Sequence, residues 1–197
     1  MSICYHEGSQ EFHLYNKKIS YLITILKNGQ LGQLYFGKKL HDRENFSHLL
    51  ELCHRPMAVC TYEEDSTFSM EHIKQEYPSY GSGDMRYPAV EILQENGSRI
   101  TDFVYQTHRI YDGKPSLAGL PATYTEDLKE AQTLEIELKD HLIDTTLILY
   151  YTIFEELPVI TRSAKVIYHG TGKIVLERAM SCSVDLPDHD YQMIELT

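Results

Sequence analysis

Strand-like segments at short spacing are the feature that most constrains the fold of this 197-residue chain. Four follow one another in the carboxyl half, each rich in β-branched or alternating apolar residues. Turn signals such as Leu157-Pro158 and His169-Gly170 separate them. Many short strands with scarcely any helical periodicity predict an all-β fold, built as an antiparallel sandwich. The four segments read TLEIELKD, TLILYYTIF, VITRSAKVIY and KIVLERAMSCSVD.

The amino half carries two hairpin signals. The segments YLITILK and QLGQLYFG flank Asn28-Gly29, a residue pair suited to a tight turn. The segments AVEILQ and RITDFVYQTHRIY flank residues 95–98, which predicts a second hairpin. Two other stretches favour helix, because residues 42–53 space their apolar side chains helically and residues 125–131 have a capped start.

Length and chain ends bear on the domain organisation. A chain of this size fits one domain, and no linker composition divides it, so residues 1–197 are treated as one β-sandwich domain. The final segment, YQMIELT, alternates like a strand and has no stop signal. We therefore expect the chain to be a fragment of a longer protein.

Charge and cysteine content narrow the possible partners and the compartment. The 18 Lys and Arg against 29 Asp and Glu give a formal net charge of -11, without a basic block. We therefore expect neither nucleic acid nor an anionic membrane as a partner. The amino terminus lacks the pattern of a signal peptide, and no apolar stretch is long enough to span a bilayer. Four cysteines in such a chain indicate the reducing cytoplasm.

The most unusual stretch is the loop Gln75–Val90, QEYPSYGSGDMRYPAV. Its prolines and glycines set backbone angles that a helix or regular strand does not use, so it is a shaped surface. Aromatic rings beside Asp84 and Arg86 suit a sugar-facing surface, since rings stack on pyranose faces. The commoner alternative is a structural corner whose tyrosines cover the end of a sheet. The tyrosines concerned are Tyr77, Tyr80 and Tyr87.

One cluster of metal-ligating residues lies within thirteen positions. Sulfur and imidazole are ligands that zinc prefers, but the spacing lacks the paired ligands of a zinc module. We predict no metal site here and no cofactor. The cluster consists of His48, Cys53, His54 and Cys60.

The acidic residues form no recognisable catalytic arrangement. A glycosidase needs two carboxyl groups flanking the scissile bond, one of them with a raised pKa. Acids at alternating positions of a strand usually form the solvated face of a sheet. The sequence therefore indicates no catalytic residue among the acids considered, which are Asp84, Glu91, Asp102, Asp112 and Asp127.

A family resemblance rests on several motifs in order along the chain. They are FHLYNKKISYLITILKNGQLGQLYFGK, QEYPSYGSGDMRYPA, ENGSRITDFVYQTHRIYDGKPSLAGLPATY, LEIELKD, VITRSA and RAMSCSVDLP. Together they resemble the amino-terminal domain of bacterial alpha-galactosidases of glycoside hydrolase family 36. The resemblance covers nearly the whole chain.

The resemblance implies a fold and an activity for the parent protein. The fold is an antiparallel β-supersandwich of the galactose-mutarotase-like kind, followed by a TIM-type barrel and a small β domain. We expect the supersandwich to be truncated at the carboxyl-terminal end of this chain. The family hydrolyses terminal alpha-1,6-linked galactose in melibiose and raffinose with retention, using two aspartates of the barrel. The chain itself is therefore expected to be inactive.

The resemblance also implies roles for two loops. Members of the family often form tetramers, in which a loop after the YFGK strand reaches a neighbour's active site. An Asp-Arg pair of that loop matches His54 and Arg55 here, although an imidazole does not replace a carboxylate as an acceptor for sugar hydroxyls. The loop at 75–90 is expected to shape the contact with the barrel or a neighbouring subunit, with Asp84 and Arg86 holding its form.

Two alternatives remain open from the sequence. A free-standing carbohydrate-binding sandwich would use the tyrosine-rich loop as its binding site. An aldose mutarotase would need a histidine acid and a glutamate base facing one sugar, and no motif here assigns such a pair.

Overall fold

A computed structural model of the chain describes residues 2–54, 61–63, 65–81, 86–119, 122–186, 190–192 and 194. Across these residues the chain forms twelve strands and two short 3-10 turns, at Ser47–Leu49 and Leu128–Glu130. The predicted all-β antiparallel fold is confirmed. The strands are β1 Ser2–His6, β2 Glu11–Tyr15, β3 Ile19–Ile25, β4 Leu31–Lys38, β5 Thr61–Tyr62, β6 Asp65–Ser69, β7 Val90–Gln94, β8 Val104–Asp112, β9 Ala131–Asp140, β10 Thr145–Phe154, β11 Ile160–Tyr168 and β12 Ile174–Ala179.

Two four-stranded antiparallel sheets form the sandwich. The first has the order β1-β2-β3-β4 and the second the order β11-β10-β9-β8. Their facing side chains share one core, in which Phe12 and Ile23 of the first sheet join Leu134 and Leu147 of the second. All four side chains are fully buried, so burial of alternate residues holds the two sheets together. The smaller pairs are β12-β7 and β5-β6.

The first predicted hairpin is confirmed and the second is wrong. Strands β3 and β4 pair across Asn28-Gly29, with Gly29 at φ +83° as a tight turn requires. Gly97 also forms a turn with positive φ, but the strands beside it join different sheets, since β7 pairs with β12 and β8 with β9. Between them the chain buries Thr101 and Phe103, and this burial draws it across to the second sheet.

The predicted helix over residues 42–53 is also wrong. Apart from the short turn Ser47–Leu49, the described part of this segment is irregular, and it lies over the outer face of the first sheet. Backbone N–H groups of Leu40 and Phe46 donate to the Ser20 Oγ and the Glu11 Oε2. Phe46 is buried against Leu22 and Leu34, so the apolar spacing that suggested a helix instead places one side chain in a separate apolar cluster on this outer face.

The helix predicted over residues 125–131 is limited to the 3-10 turn Leu128–Glu130. Asp127 caps this turn by accepting from the Lys129 N–H. Among the residues that the structure describes, no helix is long and apolar enough to cross a membrane.

Candidate functional site

The interior of the sandwich holds an ion pair between Arg162 of β11 and Glu76 of the loop that follows β6. The side chain of Glu76 is fully buried and that of Arg162 is 10% exposed. Arg162 occupies an inward position of its strand, in phase with Ile160 and Ala164, which pack against the core. A charge at an inward position must be paired, because an isolated charge in the interior is costly.

Two tyrosines complete the surroundings of this pair. The hydroxyl of Tyr21 on β3 donates to the Glu76 Oε2 over 2.6 Å, and the Arg162 Nη1 donates to that hydroxyl over 3.3 Å. The Arg162 guanidinium lies 5.1 Å from the ring centre of Tyr151, its direct partner across β10 and β11. Both sheets and the loop therefore contribute to one polar network.

The network sets the protonation of its members. Burial raises the pKa of Glu76, while the Arg162 guanidinium and the hydrogen bond from Tyr21 oppose that rise. Burial and then the Glu76 charge raise the pKa of Tyr21, so its hydroxyl keeps the proton that it donates. Burial alone would lower the pKa of Arg162, but the Glu76 carboxylate together with Tyr151 and Tyr21 outweighs it and holds the arginine pKa above its usual range.

The same network fastens the segment that follows β12. The Arg162 Nη1 donates to the Ser183 carbonyl over 3.0 Å, and the Asp185 N–H donates to the Gln33 side chain over 3.3 Å. Asp185 also accepts from Arg86 over 2.7 Å. The loop at 75–90 and residues 180–185 are thus held against the sandwich from several directions.

The tyrosines of the loop have different environments. Tyr77 is buried and its hydroxyl donates to the Met180 carbonyl. Tyr80 and Tyr87 are 46% and 68% exposed, and the Arg178 guanidinium lies 3.7 Å from the Tyr87 ring centre. These two rings are the accessible aromatic surface among the loop residues considered.

Of the two charged residues predicted to hold the loop, Arg86 has partners at both sides of it. Arg86 donates to the Asp185 carboxylate and to the Ile73 carbonyl, and so links the loop to the segment after β12 and to the residues just before the loop. Asp84 lies outside the described residues.

The other predicted site residues lie at the edge of the described chain. His54 is exposed and follows the 3-10 turn in an irregular stretch, while Arg55 and Cys60 lie outside the described residues. His48 and Cys53 are exposed as well, and Cys53 is a free thiol.

The buried carboxylates of the described chain all serve structural contacts. Glu76 binds Arg162, Glu11 accepts from the Phe46 N–H, Glu135 pairs with Arg109, and Asp140 accepts from backbone N–H groups. The Glu76–Arg162 pair was not predicted from the sequence. One signal was available, because Arg162 interrupts the inward series Ile160, Ala164 and Val166 of its strand.

Comparison with known proteins gives a family match over most of the chain. Residues 29–197 match the Glycosyl hydrolase family 36 N-terminal domain. Alpha-galactosidase AgaA of Geobacillus stearothermophilus is 44% identical over 196 residues, covering 100% of this chain and 27% of the relative.

Solved structures give the same result. The alpha-galactosidase of Lactobacillus brevis matches with a TM-score of 0.90 and 39% identity, over 94% of this chain and 25% of its own. An AgaA variant in complex with raffinose matches with a TM-score of 0.85 and 45% identity, over 92% and 25% respectively. The chain therefore spans about a quarter of the length of these relatives.

Removing one partner of the buried pair tests its structural role. Replacing Arg162 with methionine keeps the bulk of the side chain but leaves the Glu76 carboxyl buried without its cation. We expect R162M to lower the free energy of unfolding by about 3–5 kcal/mol in urea denaturation. The control is K17M, which removes the exposed pair of Lys17 with Glu156 and should leave the midpoint unchanged. Equal midpoints for R162M and the unmodified chain would contradict this role.

Proposed function

The chain is a member of the glycosyl hydrolase family 36 N-terminal domains, and we propose that it is the non-catalytic amino-terminal domain of an alpha-galactosidase. The parent enzyme would hydrolyse terminal alpha-1,6-linked galactose, as in melibiose and raffinose. The observation that carries this proposal is the 44% identity to AgaA along the whole chain. The raffinose complex of an AgaA variant supports the substrate class.

The chemistry of the described residues supports a non-catalytic role. Retaining hydrolysis needs two carboxyl groups that face the glycosidic bond from opposite sides. Here the four buried acids, Glu11, Glu76, Glu135 and Asp140, are engaged with backbone N–H groups or guanidinium groups of the domain itself. We assign the reacting aspartates to the catalytic barrel of the parent protein. That barrel would be the domain that this chain contacts within the same protein.

We assign the domain a role in subunit assembly and in enclosing the active site of a cytoplasmic homotetramer. The exposed rings of Tyr80 and Tyr87 offer an aromatic surface for contact with the barrel or a neighbouring subunit. Arg86, next to Tyr87, holds that surface in place by hydrogen bonds to Asp185 and to the Ile73 carbonyl. The exposed His54 begins the stretch that would approach a neighbour's substrate.

The purified chain should have no hydrolytic activity of its own. We expect no release of chromophore from a chromogenic alpha-galactoside, while the full-length parent protein hydrolyses the same substrate. Activity that copurifies with this chain alone would contradict the assignment. Inactivity of the full-length protein on alpha-galactosides would contradict the proposed substrate class.

The exposed tyrosines also favour a second candidate, a carbohydrate-binding module, and one titration separates the two. Tyrosine fluorescence of the chain is followed as raffinose is added, with Y80A as the comparison. The first proposal expects no saturable change for the chain alone. Saturable binding that is lost in Y80A would establish the module in its place.

The contribution of the loop to assembly is tested in the full-length protein. Replacing Arg86 with alanine removes its hydrogen bonds to Asp185 and to the Ile73 carbonyl, so the loop loses a link to Ile73 and to residues 180–185. We expect R86A to lower turnover and to shift the tetramer toward smaller species in sedimentation analysis. The control is R99A, which removes a surface pair with Glu177. Unchanged stability, assembly and turnover in R86A would refute the role.

A further inference from the structure

Three metal-ligating side chains meet on the outer face of the first sheet. Successive side chains of strands β1 and β2 point to opposite faces of the sheet. Phe12 and Leu14 face the core, whereas His6 and His13 face outward. Asp42, in the segment that crosses this face after β4, lies between the two imidazoles. The three residues come from two strands and a loop, and their ligand atoms all lie within 4.8 Å of one another.

The distances suit a small cation. The Asp42 Oδ1 lies 3.0 Å from the His6 Nε2 and 2.7 Å from the His13 Nδ1. Zinc binds nitrogen and oxygen at about 2.0–2.2 Å, so ligand atoms around a tetrahedral ion lie about 3.3 Å apart. The two distances from Asp42 would need to widen by about 0.3–0.6 Å to hold such an ion, and the two imidazole nitrogens lie within 4.8 Å of each other. Two imidazoles and one carboxylate form a common set for a divalent transition metal with one open position.

The second nitrogen of His13 has a partner suited to both states of the site. The His13 Nε2 lies 2.9 Å from the Ser20 Oγ, which also accepts from the Leu40 N–H. Without an ion, the Ser20 hydroxyl can donate to the Nε2 while the Nδ1–H donates to Asp42. With an ion on the Nδ1, the hydroxyl rotates and accepts from the Nε2–H. This is how an outer hydrogen bond fixes the orientation of a ligating imidazole.

The site is accessible from solvent, and two acidic residues line the way to it. The His13 side chain is fully buried, but those of His6 and Asp42 are 14% and 32% exposed. An open cavity of about 540 Å³ borders His6, and Glu7 and Glu44 are among the residues that line it. The Lys39 ammonium lies over the Tyr15 ring, 5.6 Å from its centre, rather than in an ion pair with Asp42. A divalent ion therefore has an entry path to His6 past two carboxylates.

We propose that His6, His13 and Asp42 form a binding site for one divalent transition-metal ion of the zinc class. The ion would take the place of the hydrogens that now join Asp42 to the two imidazoles, with water in the fourth position. Its consequence is structural, because it fastens the segment 39–46 to strands β1 and β2. That segment also carries Phe46, which packs against Leu22 and Leu34 on this outer face, so the ion would stabilise the outer layer of the first sheet.

Calorimetric titration of the chelator-treated chain with Zn²⁺ tests the proposal. We expect one saturable site per chain and a rise in Tm when the ion is added, since the ion binds the folded chain. H6Q and D42N change partly exposed side chains, so both should fold, and circular dichroism verifies this. Each should weaken zinc binding at least about tenfold and abolish the rise in Tm, and S20A should weaken binding about 10–100-fold.

Two exposed histidines supply matched controls. H141Q alters the turn between β9 and β10, and H54Q alters the stretch that also contains Cys53. Both should bind Zn²⁺ as the unmodified chain does. Absence of saturable binding, or unchanged affinity in both H6Q and D42N, would overturn the proposal. Loss of binding in H54Q, with a thiolate band in the Co²⁺ spectrum, would also overturn it and place the ion at Cys53.

Discussion

The buried pair of Arg162 and Glu76 is the interaction on which the arrangement of this domain depends. A guanidinium keeps its charge at every pH that a protein tolerates, so Arg162 needs an anion wherever the core encloses it. The anion comes from a loop 86 residues earlier in the chain. The second sheet is therefore complete only when that loop is in place, and the requirement links distant parts of the sequence.

This requirement extends from the pair to the surface. Glu76 directly precedes Tyr77, whose hydroxyl reaches the Met180 carbonyl, and Arg162 itself holds the Ser183 carbonyl. The loop and the segment after β12 are thus fixed on the same side of the sandwich. Tyr80 and Tyr87 are exposed beside these contacts. The proposed role beside a catalytic domain would be served by a surface that is already held in place, because ordering it on contact would cost affinity.

The sequence predicted the parts of this fold that follow from local patterns. Strands β9 to β11 were predictable because their alternation has a period of two, and the β3–β4 turn because Asn28-Gly29 suits it. The helix predicted at 42–53 does not form, because Phe46 alone of its apolar side chains is fully buried and the segment otherwise crosses the sheet without regular structure. Partners far apart in the chain were not predictable. Arg162 was recognisable as a charge at an inward strand position, but nothing in the local sequence indicated Glu76 as its partner. His6, His13 and Asp42 are brought together only by strand pairing and by the segment that crosses the sheet.

A double-mutant cycle on the buried pair tests the central claim most directly. The free energy of unfolding is measured for the unmodified chain, E76Q, R162M and the double variant. If the two residues stabilise the fold as a unit, the double variant is less destabilised than the sum of the single changes, by about 2 kcal/mol or more. Additivity within about 0.5 kcal/mol would show that the two residues act independently, and would contradict the account.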